Sequence, residues 1–357
     1  MAFQLSLHPW VYYSKYQKDG SWKDYWQMKP SPIPCQNNYD QDRNNFPEFP
    51  LVTYSTQYGL GCFEGLKAFP QANGTISLFR PEENAKRMFR SMQGLRMPPF
   101  PIEKFLYACH TIVRKNAAIR CAPTYDNSWK QNNFTHAQAM YIRPFTYSEE
   151  GIGINPSQYP WIVFITTNVE TYFKNIQTAQ AVTTSIARAQ KGGIGWIKCS
   201  ANYVIPMLEK VKAEENDFME VLFLDAETHK YVEEGSSCNI FFVLNNDSLI
   251  TPQLGDTILP GITRSSIIEL ARSESVTVEE RLISIEEVMN DVKEVFVTGT
   301  AAGVTPITSI THKKQIKKFL GTHGKVTMHY LSTLKEIQYG LRKDTFGWMH
   351  PLPIHED

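Results

Sequence analysis

The chain has little that would tie it to a membrane, a metal or a nucleic acid. Its longest apolar runs, such as Trp161–Ile165, extend only a few residues; they are too short to span a bilayer and suit buried strands. Six cysteines, at 35, 62, 109, 121, 199 and 238, contain no Cys-x-x-Cys pair, which predicts free thiols in a reducing compartment, no disulfide and no zinc. No histidines, His329 included, pair at i, i+4 in a metal-site pattern, so no metal site is expected. Neither charge sign is in excess, with 36 Lys and Arg against 36 Asp and Glu, which removes the electrostatic footprint of a nucleic-acid or anionic-membrane partner. The opening stretch Met1–Trp10 lacks the basic start and apolar core of a signal peptide and the arginines of a transit peptide, so a cytoplasmic protein is expected. There is no internal repeat and no low-complexity tract. Small-molecule chemistry remains.

At 357 residues the chain is too long for one ordinary core and suits two domains. A smaller N-terminal α/β domain is expected over 1–173, opening with an irregular arm at 1–50. A connection follows at 174–180, then a larger C-terminal domain over 181–357 carrying Lys198. Within the first, Val52–Tyr58 alternates like a strand and runs into three glycines at 59, 61 and 65. A hairpin turning at Asn73-Gly74 follows. Arg80 stands at the mouth of a helix opened by Pro81, Glu82 and Glu83, and a second helix covers 102–118. Residues 123–136 have loop composition. In the strand Ala139–Phe145, period-two alternation puts Tyr141 and Arg143 on one face, where an arginine could grip a carboxylate or simply meet solvent.

The second half holds Gly192-Gly-Ile-Gly-Trp-Ile-Lys198. A lysine hemmed in by glycines and large apolar residues would lose hydration, have its ammonium pKa lowered, and become a nucleophile for carbonyls; most such lysines merely snorkel. Glu234, ahead of an apolar strand, is a candidate buried carboxylate. Gly261-Ile262-Thr263 begins a helix whose first amides point outward, an anion site in form. The small residues Thr298–Gly303 allow a second close backbone approach to an anion. Lysine, anion cradle, distant arginine and buried carboxylate together match the needs of pyridoxal phosphate.

The order of motifs then resembles a known family, the branched-chain amino acid aminotransferases of the pyridoxal-phosphate fold that includes D-amino acid aminotransferase. The likeness runs from about Tyr54 to Met349. It rests on Tyr-Gly-Leu-Gly-Cys-Phe-Glu-Gly at 58–65, Leu-Phe-Arg-Pro at 78–81, Tyr-Ile-Arg-Pro at 141–144, and Lys198 with Asn202-Tyr203. Glu234-Gly-x-x-x-Asn239, Leu-Pro-Gly-Ile-Thr-Arg at 259–264, Thr-Gly-Thr-Ala at 298–301 and Leu-Lys-Glu-Ile-Gln-Tyr-Gly at 334–340 complete it.

The resemblance implies an α+β, two-domain fold type IV with the active site between domains, and a homodimer. It implies that Lys198 is the Schiff-base lysine and the acid/base, that Glu234 pairs with the pyridine nitrogen and that Tyr203 bonds the ring oxygen. Arg80, Ile262, Thr263 and Thr300 would hold the phosphate. Tyr58, Phe63 and Tyr141 would line an apolar pocket, and Arg143 with Thr300 and Ala301 would orient substrate carboxylates. The implied reaction moves the amino group of leucine, isoleucine or valine to 2-oxoglutarate. Cys199-Ser-Ala departs from the family's small-residue run after the lysine, and Thr300–Thr305 lacks the cysteine pair of mammalian members, so no redox switch is predicted. The competing readings are a transaminase of other specificity (aromatic, D-amino acid or specialised metabolite), a lyase of the same fold, and a non-catalytic cofactor-binding protein.

Overall fold

The computed structural model describes residues 6–28, 49–170 and 179–352. The chain forms two compact units. The first gathers Met1–Tyr172, Lys198–Ala201 and Glu336–Asp357; the second gathers Phe173–Ile197 and Asn202–Lys335.

The first unit is built on a seven-stranded sheet. In spatial order its strands are Met349–Leu352, Ile76–Phe79, Leu66–Pro70, Ala139–Tyr147, Trp161–Val169, Trp10–Tyr16 and Trp22–Met28, every neighbour antiparallel. The helices Pro81–Gly94 and Ile102–Ala118 have the predicted bounds to within a residue or two. Their apolar stripes place Met88, Met92, Phe105, Cys109 and Ile112 in one core with Leu78, Ile142 and Phe164 of the sheet, the burial that makes an amphipathic helix stable.

Three expectations for this unit are corrected. The arm at 1–50 is not irregular where it is described: Trp10–Tyr16 and Trp22–Met28 form an antiparallel pair, with Tyr12 opposite Trp26 and Tyr13 opposite Tyr25. Aromatics line both faces, Tyr12 packing on Phe164 in the core and Tyr13 stacking on Tyr25 on the other side, so the period-two signal is hidden. Tyr54–Tyr58 is a short helix instead of a strand, because Thr53 and Thr56 form a reciprocal capping box and Gly59 closes the helix in the left-handed region at φ 67°,. Within 123–136, Ser128–Gln131 is helical, and Trp129 and Phe134 pack against Tyr339. The expected thiols hold at Cys62, Cys109, Cys199 and Cys238, but Cys121 is disulfide-bonded; Cys35 lies outside the described residues.

The second unit carries two five-stranded sheets. One runs in the order Val278–Glu280, Leu249–Thr251, Asn239–Leu244, Val292–Gly299, Gly303–Ile307. The other runs Gln315–Lys318, Ser309–His312, Gln180–Thr184, Glu220–Leu224, Val232–Gly235. Helix Ile285–Asp291 starts at the predicted cap, Ser284 Oγ accepting the Glu287 N–H at 3.0 Å. The connection expected at 174–180 falls mostly outside the described residues, and Gln180 already opens a strand.

The division differs from the sequence expectation at two places, each for a reason of pairing. Met349–Leu352 hydrogen-bonds along Ile76–Phe79, so the chain's last described strand belongs to its first unit. Lys198 also belongs there: Cys199 bridges Cys62, the Phe63 N–H donates to Lys198 O at 3.1 Å, and the Ser200 N–H donates to Gly61 O at 2.9 Å. A Cβ at Gly59 or Gly61 would make only ordinary van der Waals contact with its neighbours, so the bridge is set by backbone pairing, and Gly59 is required for its left-handed φ of 67°,.

Candidate active site

In the first unit the structure brings together Lys198, Phe63, Tyr141 and Arg143. Lys198 Nζ lies 4.8 Å from the centre of the Phe63 ring, and the Arg143 guanidinium carbon lies 4.6 Å from the same ring. One aromatic ring thus meets two cationic groups, each attracted by the negative face of the π system. Arg143 also donates to Tyr141 Oη from Nε at 3.2 Å and Nη2 at 2.6 Å, which fixes the face that alternation had placed them on. Tyr141 fits only because residue 65 is glycine; a Cβ there would overlap the phenol oxygen. The Lys198 main chain is held by helix Pro81–Gly94, its N–H donating to Ser91 Oγ at 3.3 Å.

Beneath this cluster lies a charged pair that sequence reasoning missed as a unit. Glu64 is wholly buried and Arg87 nearly so. Arg87 donates to Glu64 Oε1 from Nε at 2.6 Å and to Oε2 from Nη2 at 2.8 Å, and Oε2 also accepts from Asn84 Nδ2 at 2.7 Å and the Gly65 N–H at 3.2 Å. Burial alone would push the Glu64 carboxyl up; the Arg87 charge and hydrogen bonds, with contributions from Lys198 and Asn84, outweigh it and hold the group below its usual range,. The visible signal was the i, i+3 spacing of Asn84 and Arg87 on the buried stripe of a helix following Phe-Glu-Gly.

Arg80 caps that helix with left-handed backbone at φ 48°. Its N–H donates to Trp348 O at 2.7 Å and its guanidinium carbon lies 5.2 Å from the Trp348 ring centre. Tyr58 ends the short helix Tyr54–Tyr58, exposed, its hydroxyl accepting the Gly153 N–H at 2.9 Å.

In the second unit the structure gathers Glu234, Asn239 and the start of helix Ile262–Ser273. Glu234 is buried. Its Oε1 accepts Arg188 Nη2 at 2.6 Å, and its Oε2 accepts Asn239 Nδ2 at 3.0 Å. Asn239 Nδ2 reaches on to Leu259 O at 2.9 Å, and its Oδ1 stands where a Cβ on Gly261 would be, so the glycine is required for this packing. Gly261 gives the helix no side-chain cap, leaving the Ile262 and Thr263 amides among the orphan donors of a twelve-residue helix,. Arg188 was missed because nothing local marks it. It also donates to the carbonyls of Gly195 and Thr257, yet its Nε, Glu233 Oε2 and Thr298 Oγ1 are buried with no hydrogen-bond partner among the described residues. Burial pushes the Glu233 carboxyl up, against a Thr257 hydrogen bond and the Arg188 charge.

Thr300 and Ala301 lie in the three-residue loop between strands that pair Gly299 with Gly303, Gly303 adopting the left-handed region at φ 64°,. Tyr203 ends the 3-10 turn Ser200–Tyr203 and precedes helix Val204–Glu214. The neighbouring Asn202 Nδ2 donates to Ile194 O at 2.7 Å and Ile197 O at 2.9 Å.

Residues 61–310 match the family Amino-transferase class IV, and the chain belongs to it. The chain is 38% identical over 296 residues to branched-chain amino acid aminotransferase 2, chloroplastic, of Humulus lupulus, covering 82% of this chain and 69% of that protein. It is 36% identical to branched-chain-amino-acid transaminase 1 of Bacillus subtilis, covering 82% of this chain and 81% of that one. The branched-chain amino acid aminotransferase of Escherichia coli superposes with a TM-score of 0.71 at 26% identity, over 87% of this chain and 94% of that one. Within class IV, the chain is a member of the branched-chain amino acid aminotransferases. Among the described residues no helix is long and apolar enough to cross a membrane, and no three His, Cys, Asp or Glu side chains group to hold a metal ion.

Proposed function

We propose that this chain transfers the amino group of leucine, isoleucine or valine to 2-oxoglutarate, with pyridoxal 5'-phosphate as cofactor. The observation that carries the reading is the placement of Lys198: its carbonyl accepts the Phe63 N–H, its own N–H donates to Ser91 Oγ, and its amine lies over the Phe63 ring. The residues present fit the cofactor. The uncapped start of helix Ile262–Ser273 offers unused amides to a phosphate, and Arg188 Nε is a buried donor without a partner among the described residues, beside Glu234.

When bound, pyridoxal phosphate supplies an electron-withdrawing ring that stabilises negative charge on the substrate α-carbon. The protein's residues do the rest. Lys198 would hold the cofactor through its aldehyde carbon, and its amine would serve as the acid/base that moves the proton at the substrate α-carbon. Glu234, oriented by Arg188 and Asn239, would keep the pyridine nitrogen protonated. By the family resemblance Tyr203 would bond the ring oxygen, and Arg80, Ile262, Thr263 and Thr300 would hold the phosphate. Phe63, Tyr141 and Tyr58 would form the wall for an apolar side chain, while by the family resemblance Arg143, Thr300 and Ala301 would orient the carboxylates of the substrates. Phe63 under Arg143 supports that double use, because one wall presents both an apolar ring and a cation,.

The test is the visible spectrum of the purified holoenzyme. The yellow absorbance should bleach with leucine and return with 2-oxoglutarate; a band that ignores leucine would overturn the substrate assignment.

A homodimer is part of the same proposal. Val204, Met207, Leu208 and Val211 form an i, i+3, i+4, i+7 stripe on helix Val204–Glu214, each about half exposed, which is the apolar face a second copy would cover. A Met207→Glu, Leu208→Glu variant should sediment as a monomer. The cytoplasmic expectation, drawn from the opening stretch and the scattered cysteines, is supported by four buried thiols, and the Cys121 disulfide stands against it. Alkylation of the protein in intact cells decides: a Cys121 found oxidised there excludes a reducing compartment.

A further inference from the structure

Two thiols face one another beside Lys198. Cys62 and Cys199 are partners in an isolated antiparallel bridge. The flanking bonds run from Phe63 N–H to Lys198 O and from Ser200 N–H to Gly61 O, so the two cysteines occupy a non-hydrogen-bonded position. There the Cα atoms approach to about 4.5 Å and the side chains project from the same face. That separation falls inside the range a disulfide spans, about 4.4–6.8 Å between Cα atoms. Both are buried thiols outside any disulfide. Around Cys62 Sγ lie Thr146 Oγ1 at 3.8 Å and Met88 Sδ at 3.9 Å, so small uncharged reagents suit the site better than bulky or charged ones.

We propose that Cys62 and Cys199 are a dithiol that hydrogen peroxide converts to a disulfide, locking the segment that carries Lys198 to the one that carries Phe63. The chemistry balances. One sulfur, as thiolate, attacks a peroxide oxygen; the O–O bond breaks, leaving a sulfenic acid and, after protonation, water. The second sulfur attacks the sulfenic sulfur, the S–S bond forms, the S–O bond breaks, and the hydroxyl leaves with the thiol proton as a second water. Two thiols lose two electrons and one peroxide gains them. Burial pushes the Cys62 thiol up, which makes the reaction slow at neutral pH. The sequence expectation of no redox switch concerned residues 300–305, whereas this pair is formed by residues 137 apart (199 − 62) that only the fold brings together.

What the lock does to the enzyme rests on the reading of Lys198 given above; the cross-link itself does not. Holoenzyme kept in dithiothreitol is divided, one half is treated with hydrogen peroxide, and both are denatured in N-ethylmaleimide, digested and mapped by mass spectrometry. The peroxide sample should yield the Cys62 and Cys199 peptides joined, and its thermal midpoint should exceed that of the reduced sample by about 5 °C or more, because closing so long a loop restricts the unfolded chain. Dithiothreitol should reverse both changes, and Cys62→Ala or Cys199→Ala should abolish them, either variant serving if the other does not fold. Recovery of both residues as singly alkylated or singly oxidised peptides overturns the proposal, as does a joined peptide with no change in midpoint. A joined peptide with the expected midpoint in a protein whose spectrum ignores leucine would instead sink the substrate reading and leave this one standing.

Discussion

Among the described residues two glutamate–arginine pairs are buried on both sides, and they are finished to different degrees. In the first unit Arg87 grips Glu64 with two parallel bonds, and Asn84 and the Gly65 amide add two more donors to the same carboxylate. In the second unit Arg188 meets Glu234 through Oε1, spends other bonds on main-chain carbonyls, and keeps a buried Nε without a partner among the described residues. A buried charge pair so fully answered has little left for a ligand, and removing one partner exposes the full desolvation penalty of the other. A pair left open at one edge costs the fold something and is retained where a ligand completes it. On the proposed function, the first arrangement is a foundation and the second a socket.

The widest separation between structural and chemical roles should come from Lys198, whose main chain rests on the first unit. Lys198→Ala should lower turnover by at least about 10³-fold while shifting the unfolding free energy by less than about 0.5 kcal/mol; retained transamination would sink the assignment. Arg87→Met should do the reverse, destabilising the protein by about 3–5 kcal/mol in a urea titration because Glu64 is left buried and unpaired. An unchanged midpoint would show that Glu64 is not held as a charge.

His8 tests the foundation with pH. It is buried, bonded through Nδ1 to Thr166 Oγ1 at 2.9 Å, and its pKa is lowered by burial to about 4. A depressed folded pKa means that the unfolded chain binds the proton first. Stability is therefore full above about 6.5 and is lost as pH falls toward 4, by up to about 3 kcal/mol. His8→Asn should flatten that limb; an identical acid limb in the variant would assign the loss elsewhere. The smallest expected effect on turnover is at the socket: Glu234→Gln, which keeps a side-chain oxygen for Asn239 but removes the charge opposite buried Arg188, should cost about 10²-fold in turnover, roughly 2.7 kcal/mol, and lower the urea midpoint by less than Arg87→Met does. A variant that unfolds instead would make Glu234 another foundation residue.

Much of this was legible in the sequence where the signal is local. Lys198 among glycines, the uncapped Gly261-Ile262-Thr263 helix start and the Ser284 cap each announce themselves within a few residues, as does the Tyr141 and Arg143 face. What was hidden depends on distant partners or on two-sided patterns. Arg188 reaches Glu234 from 46 residues away in sequence (234 − 188) with no spacing to mark it. Aromatics on both faces of Trp10–Tyr16 mask its alternation, and the Thr53–Thr56 box overrides a strand-like pattern. The placement of Lys198–Ala201 in the first unit is set by a bridge to Cys62 that no window of sequence contains.

The pairing of Met349–Leu352 with Ile76–Phe79 has a consequence for how the protein is made. As the chain leaves the ribosome at about 5–20 residues per second, the outer partner of Ile76–Phe79 arrives some 273 residues later (349 − 76), on the order of 15 to 50 s at that rate. For that interval the strand is an exposed sheet edge, open to any other chain that offers a β-segment. The first unit to be synthesised is therefore the last to be sealed, and nascent chains held short of residue 349 are the ones a chaperone has most reason to guard.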